Sequence, residues 1–508
     1  MTTHITRPDI SIAHADRFFI GGEWVDPSSS AMIEVISSST EEPIYRVAEA
    51  QVADIDRAVE AARTAFDSGP WTEMTHRERA RHLRAIGAGV RKRAAELGAI
   101  WAAEMGVTYA IAEAMTLGVG DVFDYYAGLG DSFPFIERHK PAGGNVGYLV
   151  REPVGVVGAI IPWNAPLTLL SYKVAPALIA GCTIILKASP EAPGVPLVFA
   201  EICKAAGLPD GVINVLTADR EVSEALVRHA GVDKIGFTGS TAAGRRIASI
   251  CGERIARFTL ELGGKSAAVV MDDYDVGAAA DAISSMASLM TGQVCSSLTR
   301  VIVSQNRHDA MVEALAASFS RTRVGDPFDP AVQMGPLAME RQRDRVEQLI
   351  ARGCADGATL ATGGARPAHL NRGYYIEPTV FGGVHNDMAI AREEFFGPVL
   401  SVIPVTGEHE AISIANDSIY GLNASVFTHD NDRAFAAARK LRSGTVGHNI
   451  FRTDFSIAFG GFKQSGMGRE GGVEGLLPYL ESKTVILDGE PSTLRESLAP
   501  SSGWADGG

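Results

Sequence analysis

Residues 154–160 read Val154-Gly155-Val156-Val157-Gly158-Ala159-Ile160, and residues 183–186 read Thr183-Ile184-Ile185-Leu186. Neither run alternates apolar with polar residues. A strand with one wet face alternates; a strand covered by helices on both faces stays apolar throughout, as in a parallel sheet. The next hundred residues keep that rhythm. Pro196 to Ala206 has a helical pattern, stopped at Gly207 with Pro209 beyond it. Val212 to Leu216 reads as a strand, Glu221 to His229 as a helix and Lys234 to Phe237 as a strand. Ala242 to Ile250 is again helical, and Phe258 to Leu260 returns as a strand. The alternation predicts an α/β fold with a doubly wound, Rossmann-like sheet. From about residue 264 it resumes as a second α/β unit.

Upstream, Ile55, Val59, Ala62 and Phe66 recur at helical spacing. Thr75-His76-Arg77-Glu78 has the form of a capping box and opens a long helix through Leu83, Ile86 and Val90. Helices dominate to about residue 127. Phe133 to Glu152 breaks the pattern with Pro134, Pro141, Gly143, Gly144 and Gly147, and Gly147 to Val150 reads as a short strand.

The 508 residues are too many for one core and imply two or three domains. An apolar fraction of 46% with 54 glycines suits an α/β protein rich in tight turns. The net charge of -14 argues against nucleic acid or anionic membrane as partner. No apolar stretch reaches the ~18 residues of a membrane span, and Met1 to Asp16 lacks the pattern of a secretory signal. The five cysteines are odd in number, with no Cys-x-x-Cys, so reduced thiols and a cytoplasmic location are expected, with no metal. Cys182 and Cys203 lie in apolar patterns and read as core. Pro491 to Gly508, rich in Ser, Gly and Pro, is expected to be disordered.

Two segments carry chemistry. Cys295 stands in Gly292-Gln293-Val294-Cys295-Ser296-Ser297, among residues small enough to leave its sulfur open to a carbonyl carbon. Glu261 stands in Glu261-Leu262-Gly263-Gly264-Lys265-Ser266. Covalent acyl chemistry needs such a pair: a thiolate to capture the substrate and a carboxylate to activate the water that releases it. Taken singly, a buried Cys is more often inert packing and a lone Glu a solvated charge. Asn164, in Pro162-Trp163-Asn164 after the first strand, could donate to a developing oxyanion, or simply sit in a turn. Gly239-Ser240-Thr241-Ala242-Ala243-Gly244 links a strand to a helix without the Gly-x-Gly-x-x-Gly fingerprint; the free N–H groups of such a start suit a pyrophosphate, and an ordinary turn is the bland reading.

These segments join Glu393-Glu394-Phe395-Phe396-Gly397-Pro398 and Phe459-Gly460-Gly461-Phe462-Lys463-Gln464-Ser465-Gly466. In this order and at these intervals the chain resembles the NAD(P)-dependent aldehyde dehydrogenase family, from about Phe18 to about Val485. The resemblance implies a catalytic set. Cys295 is the nucleophile, Asn164 and the Cys295 amide are oxyanion donors, and Glu261 activates water. Lys173 and Glu470 form a buried pair leading from Glu261 toward solvent. It also implies a cofactor set: Gly239, Ser240 and Gly244 at the pyrophosphate, Lys187 and Ser189 at the adenosine ribose, Ile161, Trp163 and Leu262 along the cleft, Glu394 on the nicotinamide ribose and Phe396 beside its ring. NAD is the expected cofactor. NADP is the alternative, because Pro190 stands where many NAD-preferring members carry a ribose-binding Glu, with Glu191 one further on.

By the same resemblance the substrate pocket is lined by Ala165, Leu169, Tyr172, Leu289, Val294, Phe451 and Phe459. This apolar set favours an aliphatic, terpenoid or aromatic aldehyde over a charged one. The implied domains are 1–130 with 152–263 for the cofactor, 264–464 for catalysis, and a β oligomerisation arm from 131–151 and 479–490. Its strand-like Gly147 to Val150 and Thr484 to Leu487 would pair between subunits of a homodimer or homotetramer. Two alternatives stay open: a CoA-acylating aldehyde dehydrogenase, which generally lacks the water-activating Glu, and a catalytically silent binding or structural relative.

Overall fold

The computed structural model describes residues 8–492; the expected tail lies, from residue 493 on, outside the described residues. Two large sheets organise the chain. The first has eight strands in the spatial order Gly466–Met467, Arg257–Glu261, Lys234–Thr238, Val156–Ile160, Thr183–Ala188, Ile213–Thr217, Phe18–Ile20 and Glu23–Val25. The five central strands are parallel. All five residues of Val156–Ile160 and all six of Thr183–Ala188 are buried, as their unbroken apolar character requires. Separate apolar clusters cover the two faces, one built around Leu170, Val174 and Phe199, the other around Ile55, Val59 and Ile250.

The order of these five strands reverses between Val156–Ile160 and Lys234–Thr238. From the first the chain winds outward through Thr183–Ala188 to Ile213–Thr217; from the second it winds the other way to Arg257–Glu261. In such a sheet a crevice opens at the carboxyl ends of the two strands where direction switches. Ile161 to Asn164 leave one of those ends, and Gly239 and Ser240 leave the other.

The second sheet has seven strands, ordered Thr359–Thr362, Thr379–Gly382, Val399–Val405, Leu298–Ser304, Ser266–Val270, Asn423–Phe427 and Thr445–His448. Only the edge strand Thr359–Thr362 runs antiparallel. Gly466–Met467 then returns to the first sheet and pairs antiparallel with Leu260 and Glu261.

A three-stranded antiparallel sheet joins Leu480–Leu487, Val146–Pro153 and Ile136–His139. Here the structure corrects the sequence reading. The segments read as Gly147 to Val150 and Thr484 to Leu487 are eight-residue strands, and they pair with each other within the chain, Lys483 opposite Val150 and Leu487 opposite Val146. More than 300 residues separate the partners, so no local pattern revealed the pairing. Among the described residues, the two outer edges of this small sheet stay unpaired. The reading also passed over four short strands between Phe18 and Ala48, because such short strands show too few positions for a period-two pattern. The capping box at Thr75 forms, with Thr75 and Glu78 each satisfying the other's backbone N–H. Among the described residues no helix is long and apolar enough to cross a membrane.

Candidate active site

Cys295 is reached through a strained turn. The helix Val276–Ser288 ends, and Met290, Thr291 and Gly292 follow with φ of +50°, +56° and +68°. Two consecutive non-glycine residues in the left-handed region are costly, by about 1 to 3 kcal/mol each, so other contacts must hold them. Thr291 Oγ1 donates to the Gly335 carbonyl at 3.0 Å. Gln293 Nε2 donates to the Met290 carbonyl at 3.1 Å, and Gln293 Oε1 accepts from the Ala338 amide at 2.9 Å. The turn leaves Cys295 half-buried, whereas Cys182, Cys203 and Cys251 are fully buried.

The two glycines after Glu261 now have a physical reason. A Cβ on Gly264 would run into the Cys295 carbonyl, and one on Gly263 would run into the Glu394 carboxylate. Their bare backbone lets three separate segments meet. Glu394 uses that approach: its Oε1 accepts from the Gly264 amide at 3.0 Å.

Asn164 Nδ2 donates to the Gln293 carbonyl at 3.0 Å, and the Asn164 carbonyl accepts from Trp101 Nε1 at 2.9 Å. The side-chain amide is therefore tied to the segment that leads into Cys295, and its second N–H makes no hydrogen bond among the described residues. Glu261, at the end of Arg257–Glu261, is 3% exposed, and neither carboxylate oxygen has a hydrogen-bond partner among the described residues. A buried, unpartnered carboxylate is expensive unless something is meant to donate to it. Burial, then the charge of Glu470, pushes its carboxyl well above the usual range, so it holds a proton more readily than a solvated Glu. Burial, then Glu394 and Glu261, pushes the Cys295 thiol up to about 12.

Lys173 and Glu470 do form a buried pair. Lys173 Nζ donates to Glu470 Oε1 at 2.6 Å and to Thr238 Oγ1 at 2.5 Å. Glu470 Oε2 and the nearby Tyr126 hydroxyl are buried without partners among the described residues.

Along the cleft, Ser240 caps the helix Thr241–Glu253, its hydroxyl accepting from the Ala243 amide at 3.3 Å. A Cβ on Gly244 would strike Leu262, so that glycine lets the helix sit close against Leu262. The Ile161 amide donates to the Lys187 carbonyl at 3.2 Å. Lys187 itself is buried, with Nζ 3.4 Å from the Ala218 carbonyl. Trp163 and Phe396 meet edge to face at 5.3 Å. Phe396 has φ +55°, held there by Gln342 Nε2, which donates to the Phe395 and Phe396 carbonyls at 2.9 and 2.8 Å. These features fit a dinucleotide: a helix start for phosphate, a buried cation near one end, and a carboxylate beside two aromatic rings at the other.

Ala165 and Leu169 belong to one apolar cluster, against which Leu289 and Val294 pack. Phe459 joins Tyr172 through a residue that the sequence reading missed. Phe455 stacks on Tyr172 at 3.9 Å and on Phe459 at 4.5 Å. Phe451 is set apart from these: it packs against the second sheet's core, in the cluster that contains Phe427. Gln293, Trp101 and Gln342 were missed too. Each works through a contact distant in sequence, and none stands in a pattern that marks it.

The segments that leave the switch point carry a clamped amide, and the segments beside them carry a thiol and an unpartnered carboxylate, in a two-sheet α/β protein. Residues 24–485 match the aldehyde dehydrogenase family model. The chain is 43% identical over 472 residues to a geranial dehydrogenase of Castellaniella defragrans, covering 93% of this chain and 98% of that protein. It is 39% identical over 478 residues to a betaine aldehyde dehydrogenase of Brucella suis, covering 92% and 96%. Its fold is similar to a Mycobacterium tuberculosis aldehyde dehydrogenase complexed with NAD+, at TM-score 0.92 and 43% identity over 94% of this chain and 99% of that one. It is also similar to an aldehyde dehydrogenase mutant from Pseudomonas syringae complexed with NAD+ and octanal, at TM-score 0.92 and 37% identity over 96% and 100%. The chain belongs to the aldehyde dehydrogenase family and is an aldehyde-oxidising enzyme.

Proposed function

We propose that the protein oxidises an apolar aldehyde to the carboxylic acid with NAD+ and water, through a covalent adduct on Cys295. The observation that carries this reading is that Gly264, three residues after Glu261, passes against the Cys295 carbonyl, while Asn164 Nδ2 donates to the Gln293 carbonyl two residues before Cys295. Cys295 gives up its proton, and the thiolate sulfur adds to the aldehyde carbon. The free N–H of Asn164 and the Cys295 amide donate to the oxygen that gains charge, which lowers the barrier to addition. Bound NAD+ would supply the acceptor for the hydride that the adduct's carbon must lose, and Cys295 would be left as a thioester. Glu261 takes a proton from water, and the water oxygen attacks the thioester carbon. The acid leaves and the sulfur is restored. Lys173 and Glu470 offer the proton on Glu261 a buried path outward.

Glu394 would hold the nicotinamide ribose, Trp163 and Phe396 would flank the ring, and the helix start at Ser240 would meet the pyrophosphate. Residues 1–130 with 152–263 would form the cofactor unit and 264–464 the catalytic unit. The unpaired outer edges of the small sheet formed by 131–151 and 479–490 would join subunits into a homodimer or homotetramer.

The stacked Tyr172, Phe455 and Phe459, with Leu169 and Ala165, support an apolar substrate of aliphatic or terpenoid type. Relatives named for geranial or bound to octanal are in keeping with this. The test is NADH absorbance with purified enzyme, without CoA, against aliphatic, terpenoid, aromatic and cationic aldehydes. Turnover of the apolar aldehydes is the expected result. Turnover only when CoA is added, or none with any aldehyde, would overturn the reading.

A further inference from the structure

Three consecutive residues after Leu262 address one neighbouring segment. Gly263 leaves room for the Glu394 carboxylate, and the Gly264 amide donates to Glu394 Oε1 at 3.0 Å. Lys265 follows, and its Nζ stands 4.4 Å from the centre of the Phe395 ring. Lys265 is 1% exposed, and its ammonium has no hydrogen-bond partner among the described residues. Burying such a donor is costly unless other groups compensate. Two kinds of group do so here. The ring face attracts a cation, and the Glu394 and Glu393 carboxylates lie within electrostatic reach, opposing the like charge of Arg300. Arg300 also pins the base of this arrangement. Its Nε donates to the Lys265 carbonyl at 2.9 Å, and its Nη atoms are taken up by Asn386 and by the Ile414 and Ala415 carbonyls. Elsewhere the facing segment is held by its backbone: Gln342 Nε2 donates to the Phe395 and Phe396 carbonyls, and Arg345 Nη2 donates to the Glu394 carbonyl at 3.2 Å. The Glu394 carboxylate itself is acted on by the Gly264 amide, then by the charges of Lys265 and Arg345.

We propose that Lys265 is a positioning residue for Glu394: its ammonium, seated on the Phe395 ring, holds the carboxylate in the place and charge state that the nicotinamide ribose requires. This rests on the proposed role of Glu394. Lys265 acts through Glu394 and need not touch the cofactor. Burial pushes the Glu394 carboxyl up to about 7, against the pull of the Gly264 amide, Lys265 and Arg345. Burial, then Arg300, brings the Lys265 ammonium down to about 7, against Glu394 and Glu393. Burial, then Glu394, pushes up both the Cys295 thiol and the Tyr420 hydroxyl. Removing the ammonium takes away one pull on Glu394, so its carboxylate forms at higher pH. The anion to which ribose hydroxyls would donate is then scarcer at neutrality.

The test uses the full chain as wild type, Lys265→Met, Glu394→Gln and the double variant. Alkylation of Cys295 by iodoacetamide without cofactor reads the charge on Glu394, because that charge disfavours the thiolate. In wild type the rate should climb with pH and bend near pH 7, where Glu394 ionises. Lys265→Met should move the bend upward by about 0.5 to 1 pH unit. Glu394→Gln should abolish it, and in that background Lys265→Met should change the rate by no more than about twofold. Calorimetric titration with NAD+ at neutral pH reads the ribose. Lys265→Met should weaken NAD+ about 3- to 10-fold, as Glu394→Gln does, without adding to that loss in the double variant. Circular dichroism checks folding, and Lys265→Gln stands in with the same expectations if Lys265→Met does not fold. An unmoved bend overturns the proposal. So does an equal effect of Lys265→Met with and without Glu394, which would mark packing alone. A moved bend with NAD+ affinity unaltered in every variant overturns the ribose role of Glu394, and the proposal with it, while the charge coupling stands.

Discussion

Asn164 Nδ2 and the Gln293 carbonyl are 3.0 Å apart, which ties the side-chain amide to the chain two residues before Cys295. Any shift of the strained turn at Met290 and Thr291 would move sulfur and amide together. Their relative geometry is thus buffered, as the proposed roles of nucleophile and oxyanion donor would require.

Replacing Asn164 by Ala removes the donor but leaves the turn held by Thr291 and Gln293. The rate of aldehyde oxidation should fall about 100- to 1000-fold, the usual cost of one oxyanion donor. The rate of Cys295 alkylation by iodoacetamide should change by no more than about twofold. Steady-state kinetics and intact-mass spectrometry check the two halves.

Glu261→Gln keeps the shape of the side chain but not its ability to take a proton from water. Steady-state turnover should fall about 100-fold or more, while the first turnover still releases NADH. Intact mass under substrate should then show the acyl adduct on Cys295. Absence of both burst and adduct would count against deacylation by Glu261.

The pH dependence has a definite sign. Burial and Glu470 hold the Glu261 carboxyl well above its usual value. A raised carboxyl is protonated, and useless as a base, until the pH climbs past it. Deacylation should therefore quicken as pH rises from neutral. Decay of a preformed acyl-enzyme, followed by mass spectrometry across pH, measures this step alone.

Cys295 is pushed up to about 12 by burial, then by Glu394 and Glu261. Alkylation in the absence of cofactor should be slow at neutral pH and rise throughout the alkaline range. At pH 8 the Glu394 carboxyl, raised to about 7, is largely ionised. Glu394→Gln removes that charge, favours the thiolate and should speed alkylation about 3- to 10-fold at that pH. A slower reaction would show that Glu394 acts on the thiol by some other route.

Phe455 bridges Tyr172 and Phe459 in one stack. Phe455→Ala should raise KM for an eight-carbon aldehyde about 3- to 10-fold, with little change in kcat, because it removes contact with the chain and none with the carbonyl. An unchanged KM would place the substrate elsewhere.

The first sheet was legible because its code is local. Unbroken apolar runs such as Val156 to Ile160, glycine stops such as Gly207 and the capping box at Thr75 act over a few residues, where burial and backbone hydrogen bonding leave a short-range pattern. Cys295, Glu261 and Asn164 were legible for a related reason: each stands in a segment whose small neighbours, proline or glycines serve its chemistry. Leu480–Leu487 shows the limit. Its eight residues pair with Val146–Pro153 across most of the chain length, and neither strand announces its partner.

The α/β rhythm, the family and the groups proposed to react are thus written along the chain, since local sterics and side-chain chemistry act on neighbouring residues. How those groups are held is written in space. Gly263 bares the backbone to Glu394, Gln293 clamps Asn164, Phe455 links Tyr172 to Phe459, and Arg341 reaches Glu191 from the other unit. Such contacts depend on where distant segments cross. They form once burial of two separate cores has fixed the sheets, and no spacing along the chain encodes them.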